Sequence, residues 1–319
     1  GIHFKMKVLV TGASGFVGSN LVESLSKKNN ISVVAMVRSS QDILKNTNIE
    51  YRLAEIDSFG EIDIYLGDID VVIHTAGRAH VMKEKLSDPL KEFRRVNTKG
   101  TISLARSAAE SGVKQFIFLS TIKVNGDSNK NQKSFLASDT PNPSDPYGLS
   151  KFEAELGLKK IVSNSQLTYT IIRPTIIYGP GVKGNLSALI KLIRLKLPMP
   201  FKGLTKNRRS MVGLDNLIDL IFVCIKHKNA VNKIFLVSDN DDVSTARLIR
   251  LLGKTAGHSP RMFYFPKKWL AFIAKVFGFT ESYKRISGTL RVDITNTCEC
   301  LDWSPPHTVE YGFNKLEKN

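Results

Sequence analysis

The chain has 319 residues, 42% of them hydrophobic and 24% charged, and carries a formal net charge of +17. That length holds one large α/β unit or two unequal domains, and that balance excludes a disordered or fibrous chain. The charge admits nucleic acid, an anionic membrane or an anionic small substrate, but the lysines are scattered rather than blocked, so solvated faces and an anionic substrate are expected, with no specific nucleic acid.

In chain order, "GIHFK" precedes Met6 and is expected to be an expression remnant outside the fold. "KVLVTG" predicts a strand and "VGSNLVESLSKK" a helix, joined by "TGASGFVG" with glycines at 12, 15 and 18. Gly12 suits the tight turn, Gly15 admits backbone N–H groups to a pyrophosphate, and Gly18 lets the helix pack close to the sheet. Gly12, Ser14, Gly15, Phe16, Val17 and Gly18 are therefore expected to cradle a dinucleotide. "SVVAMVR" is a second, apolar strand that ends on Arg38. An acid there serves the ribose of NAD, whereas an arginine accommodates the 2′-phosphate of NADP or stacks on the adenine of NAD.

"IEYRLAEID" predicts another strand, leading to Ile56 and Asp57, and "VVIHTAG" another, leading to Ala76 and Gly77. A long helical stretch, "PLKEFRRVNTKGTISLARSAAESG", contains Asn97; the strand "QFIFLST" reaches Thr121. Gly126 to Asp145 is polar and Pro-bearing, hence a loop at the C-terminal edge of the sheet. The helix "YGLSKFEAELGLKKIV" and the strand "TYTIIRP", which closes on Pro174, complete the alternation. This order predicts an α/β fold, a Rossmann-type doubly wound parallel sheet. Beyond Pro174, "GNLSALIKLIRLKLPMP" reads as a helix, "NKIFLVSD" as one more strand, and the rest as short helices and loops. The expected division is a nucleotide-binding domain over 6–173, completed by about 208–237, with a smaller substrate lobe over 174–207 and 238–319. Within that lobe "PKKWLAFIAKVFGF" is basic and amphipathic. It is expected to bury Trp269, Phe272, Ile273 and Val276; the alternative is a helix lying on a membrane.

Cys224, Cys298 and Cys300 make no disulfide framework, and Cys298-x-Cys300 lacks the partners a zinc site needs. No metal, no membrane insertion and a cytoplasmic location are expected. Tyr147 and Lys151 are four apart on one helix face, so phenol and ammonium point the same way. One cation within ~4 Å at an effective dielectric near 20 offers about 4 kcal/mol, enough to bring a tyrosine from ~10 to ~7 and make it an acid–base.

In this order "TGASGFVG", "DVVIHTAG", "RVNTKGT", "FLSTIKVNG", "YGLSKFEAE", "IIRPTIIYGPG" and "RRSMVGLDNLID" resemble the NAD-dependent epimerase/dehydratase family of extended short-chain dehydrogenases/reductases. The resemblance implies an NAD(P) cofactor, a nucleotide-diphosphate sugar substrate, and Thr121, Tyr147 and Lys151 as catalytic residues. It also implies Asp57 at the adenine, Ile56 beside it, Ala76, Gly77 and Pro174 near the cofactor, and Asn97 at the cofactor site as support for the active-site helix. Asp57 as a turn acid and Asn97 as a helix-packing group are the plainer readings. On the substrate side it implies Lys123 beside the sugar, Asn185 and Leu186 at the pyrophosphate and uracil, Phe201 near the nucleoside or in the core, and Arg209 on a phosphate or in a surface ion pair. Epimerases of the family often have a basic residue before the final Trp; Thr297, Cys298 and Glu299 stand there instead, leaving Arg285 or Arg291 to supply the charge.

Ile122 and Lys123 replace the Asp-Glu pair of the 4,6-dehydratases, and Asn125 the usual Tyr. "GRAHVM", "STIKVNG" and "YGPGVKGN" resemble the subgroup of bacterial O-antigen clusters. The expected reaction is reduction at C4 of a UDP-4-keto-6-deoxy-N-acetylhexosamine with NADP(H), favoured by Arg38. The alternatives are a UDP-glucose or UDP-N-acetylglucosamine 4-epimerase using NAD(H), and a non-catalytic sensor or RNA-associated protein. A homodimer through the long helices of the N-terminal domain follows the family's habit.

Overall fold

The structure, a computed structural model, describes residues 4–45, 48–79, 88–129, 133–182 and 185–316. His80–Met82 of "GRAHVM" and Lys183 and Gly184 of "VKGN" lie outside the described residues.

The strands are β1 (Met6–Thr11), β2 (Ile31–Val37), β3 (Glu50–Leu53), β4 (Val71–His74), β5 (Gln115–Leu119), β6 (Thr168–Pro174), β7 (Ile176–Tyr178), β8 (Met211–Gly213) and β9 (Lys233–Val237). Seven form one parallel sheet in the order β3-β2-β1-β4-β5-β6-β9. β1 sits centrally, with Val8 opposite Val33 on one side and Val71 on the other. These strands are near-continuous apolar runs because both faces are covered.

On one face α1 (Phe16–Ser26) and α6 (Leu214–Cys224) bury Leu21, Leu25, Leu217 and Ile221. On the other, α3 (Gly100–Glu110) and α4 (Pro146–Ser163) bury Leu104, Ala108, Ala154 and Leu158. The long helical stretch is α2 (Pro89–Phe93), a π turn over Arg94–Lys99, and then α3. Asn97 lies in the π turn, a distortion frequent at functional sites. The strand order reverses between β1 and β4, so the ligand crevice of this Rossmann-type fold opens there.

A third core lies beyond β6. α5 (Asn185–Arg194), α7 (Thr245–Thr255) and α11 (Val309–Asn314) close around Leu189, Ile249 and Phe313, beside the two-stranded pair of β7 and β8. α8 (Lys267–Val276) and α9 (Thr280–Ser287) follow α7, and α10 (Thr295–Leu301) precedes α11. The burial expected of α8 is not found. Only Leu270 and Ala274 are covered, while Trp269, Phe272, Ile273 and Val276 are exposed. Helical periodicity located the stripe, but the lobe grips the neighbouring face of the helix.

Candidate active site

Because all seven strands are parallel, β1, β4, β5 and β6 end on one edge, and the motif residues gather there. After β1 the chain turns at Gly12, whose φ is +61° and whose added Cβ would stand 2.8 Å from the Ala76 nitrogen. A Cβ on Gly18 would lie 1.9 Å from the Gly12 carbonyl oxygen, so this turn closes only with glycine at both places. α1 starts after Gly15 with no side-chain cap and no acid in its first turn. Ser14 and Gly15 are exposed and Phe16 and Val17 half-buried, which leaves a positive helix end open to an anion. A dinucleotide pyrophosphate fits this cradle.

Arg38 is the first residue after β2, exposed, with no carboxylate in ion-pair reach among the described residues. Ser39 next to it caps a short turn, its hydroxyl oxygen accepting from Gln41 N–H at 3.2 Å. Asp57 has the turn-acid geometry: one carboxylate oxygen accepts from Phe59 N–H at 2.8 Å and Glu61 N–H at 2.9 Å. Ile56 packs against Gly100, at the N-terminus of α3. Pro174 is buried at the end of β6. Asn97 is buried and ties two elements together. Its Oδ1 accepts from Arg78 N–H at 2.8 Å, and its Nδ2 donates to Arg78 O at 2.9 Å and Ser150 Oγ at 3.0 Å. This holds the Ala76–Gly77 turn against the helix that bears Tyr147 and Lys151.

α4 begins at an Asp145 cap, with Oδ1 accepting from Gly148 N–H at 2.6 Å and Pro146 in the first turn. Tyr147 and Lys151 lie one turn apart just inside it. Lys151 is buried, its Nζ donating to the Leu119 carbonyl at 2.8 Å and standing 4.4 Å over the Phe118 ring. The Thr121 hydroxyl hydrogen-bonds the Tyr147 phenol, and the Phe93 ring lies 6.0 Å from it. The trio is thus assembled at the ends of β5 and α4.

Its electrostatics differ from the sequence expectation. Burial pushes the Tyr147 phenol up to about 12, with only the Thr121 hydrogen bond acting downward, while burial pulls Lys151 down to about 7. A pairwise Coulomb argument gave the ammonium full charge; desolvation removes that charge first.

Beneath them lies His74, which the motifs did not single out. Thr11 Oγ1 accepts from Thr75 N–H at 3.1 Å and Ala76 N–H at 3.2 Å, so its proton goes to His74 Nδ1 at 2.7 Å. That leaves His74 Nε2–H to donate to Thr101 Oγ1 at 2.9 Å. Burial, helped by Lys151, pulls His74 down to about 3 and keeps it neutral. Ser120 was missed as well. Among the described residues its Oγ is the buried side-chain oxygen with no partner, next to Thr121.

On the substrate side the residues divide. Lys123 is held by Asp145 at 2.7 Å, with Asp127 at 3.7 Å, so its ammonium is already neutralised. Leu186 is buried in the third core and Phe201 packs at its margin. Asn185 opens α5; its side chain lies outside the described part. Arg209 meets no carboxylate among the described residues and makes only a long 3.5 Å contact to Gly288 O. Burial and then the nearby Arg285 lower its pKa, and Arg291 is engaged with Asp242 at 3.1 Å. Two adjacent guanidiniums without an acid suit a diphosphate.

The family model "NAD dependent epimerase/dehydratase family" matches residues 8–238. A Vibrio cholerae protein named UDP-glucose 4-epimerase is 43% identical over 308 residues, spanning 97% of this chain and 93% of its own. The N-acetyl-alpha-D-glucosaminyl-diphospho-ditrans,octacis-undecaprenol 4-epimerase of Escherichia coli O157:H7 is 29% identical over 253 residues, 76% of this chain and 70% of that one. Among solved structures, UDP-glucose 4-epimerase of Thermotoga maritima with UDP-glucose superposes with a TM-score of 0.76 at 21% identity, covering 98% of this chain and 97% of that one. UDP-glucuronic acid 4-epimerase of Bacillus cereus with NAD gives 0.77 at 22% identity, covering 98% and 95%. At those identities the structures speak for the fold. With a family match running from β1 through β9 and a relative that is similar along nearly the whole chain, this protein belongs to the NAD-dependent epimerase/dehydratase family.

Proposed function

We propose that the protein interconverts the C4 epimers of a UDP-sugar, with NAD as its cofactor. The observation that carries this reading is the 43% identity to the Vibrio cholerae UDP-glucose 4-epimerase along 97% of the chain. Bound NAD would take a hydride from C4 and return it. Tyr147 holds the proton exchanged with the sugar's 4-oxygen, and Thr121, hydrogen-bonded to the phenol, orients that oxygen. Lys151, whose amine rests on the Leu119 carbonyl, would hold the cofactor ribose. Arg209 and Arg285 grip the diphosphate and leave the sugar ring free to present its other face. Ile122 cannot protonate a leaving hydroxyl and Lys123 is committed to Asp145, which argues against 4,6-dehydration.

A second reading, reduction of a UDP-4-keto-6-deoxy-N-acetylhexosamine, is favoured by Arg38, whose unpaired guanidinium suits the 2′-phosphate of NADPH. One experiment separates them. The purified protein is given UDP-glucose or UDP-N-acetylglucosamine without added cofactor, and the epimers are followed by NMR. Interconversion, with NAD released on denaturation and kcat lowered ~10²–10⁴-fold in Tyr147→Phe, is expected. No interconversion, with stoichiometric NADPH oxidation on the 4-keto sugar, would establish the reductase instead.

A further inference from the structure

The face of α8 that the lobe leaves uncovered is not an ordinary solvated helix face. Trp269, Phe272, Ile273 and Val276 recur at helical spacing and form one continuous stripe, which Phe277 and Phe279 extend past the helix end. All six are exposed, from 40% for Ile273 to 68% for Phe277. Leu270 and Ala274, on the adjoining face, root the helix in the lobe. Lys268 and Lys275 border the stripe on its other side and Lys267 stands at the helix start. None of these three lysines has a carboxylate partner among the described residues. From Arg261 to Gly288 the chain has six basic residues and one acid, Glu281, which faces Lys284 at 3.3 Å.

We propose that α8 and the Phe277–Phe279 turn dock this protein on an anionic lipid surface, with the aromatic stripe in the headgroup region and the lysines on lipid phosphates. The composition decides the occupant. Trp and Phe on one side of a helix with Lys on the flank is the arrangement of a helix lying in a membrane interface. No helix among the described residues is long and apolar enough to cross a bilayer, so the contact is with the surface. A second copy would bring the same basic border against itself on a chain of net charge +17, which opposes self-association through this patch. RNA would use the cations but gains little from Ile273 and Val276. The docking holds whichever sugar reaction the site performs. Its geometric consequence is that α9, which carries Arg285 beside Arg209, follows directly from the docked turn.

The test uses the full chain in 0.15 M salt with vesicles of phosphatidylcholine alone, or with a third of phosphatidylglycerol. Flotation with the anionic vesicles is expected, weakening as salt rises. Bromine-labelled acyl chains are expected to quench Trp269, because the other tryptophan, Trp303, is buried with its Nε1 on Asp219 at 2.7 Å. Each basic residue near such a surface raises partitioning about five-fold. Lys267→Glu/Lys268→Glu/Lys275→Glu should therefore lose ~100-fold or more, and Trp269→Ser/Phe272→Ser should abolish flotation, both keeping turnover of a soluble substrate. Absence of flotation, or flotation without Trp269 quenching, would overturn the proposal. So would variants that float like the wild type, or a stripe-dependent dimer or RNA complex in place of lipid binding.

Discussion

Lys151 is buried with its amine on the Leu119 carbonyl, and burial holds its pKa near 7 against an ordinary 10.5. Between those values the unfolded chain binds more protons than the folded one, so stability rises with pH; below about 7 the full cost of a buried ammonium is felt. Lys151→Met should therefore abolish turnover yet raise Tm, most at pH 6 and progressively less toward pH 10. Melting curves across that range check it, and a gain that grew with pH would contradict the assignment. The sequence disclosed this residue through its spacing from Tyr147 but not its ionisation, since a motif names neighbours and says nothing of how much water they lose. Arg285 was named as a candidate charge beside Arg291, but the sequence did not place it, for a related reason. Its relation to Arg209 arises only when α9 folds back toward β8, a contact far along the chain. His74 reads as one letter of an apolar strand until Thr11 and Thr101 are found on its two nitrogens.

α4 and β6 are joined by an ion pair rather than by apolar contact alone. Arg173 Nε donates to Glu155 Oε1 at 2.8 Å and its Nη2 to Oε2 at 2.7 Å, with both side chains essentially without solvent. A further donation from Nη1 to Asn125 Oδ1 at 2.9 Å ties in the turn after Thr121. Asn125 thus has a structural task at that turn. Arg173→Met leaves Glu155 buried and unpaired and should cost about 3–5 kcal/mol, whereas Arg173→Met with Glu155→Leu should recover most of it. Urea denaturation of the three proteins measures both. Helix α4 and strand β6 were readable from periodicity, and so was the exposed stripe of α8. Whether a stripe is covered depends on what packs over it. The pattern along one helix carries no record of that.

At the scale of the molecule, the proposed function shares the substrate between two regions: the sheet edge, with Thr121 and Tyr147, and the segment leading into β8, with Arg209. UDP alone, lacking the sugar, should engage mainly the second. At about 100 times its Kd it should add about 2.7 kcal/mol to stability, seen as a rise in Tm. Arg209→Leu should weaken UDP about 10- to 100-fold, the range of a lost charged hydrogen bond, and shrink that rise. Differential scanning fluorimetry with a UDP titration reads both effects, and an unchanged shift in the variant would remove Arg209 from the nucleotide.

The last strand of the main sheet, β9, enters only after the chain has left β6, built β7, α5 and β8, and come back through α6. Its ladder to β6 runs from Thr170 opposite Lys233 to Pro174 opposite Val237. A polypeptide emerging from the ribosome therefore has β6 complete, one side of it unpaired and adhesive, while some sixty further residues are made. The two regions are thus tied in time as well as in space. Recombination that swapped everything after Pro174 for another lobe would have to import a matching edge strand with it. Inheritance of the segment after Pro174 as a freestanding cassette is closed off by its own topology.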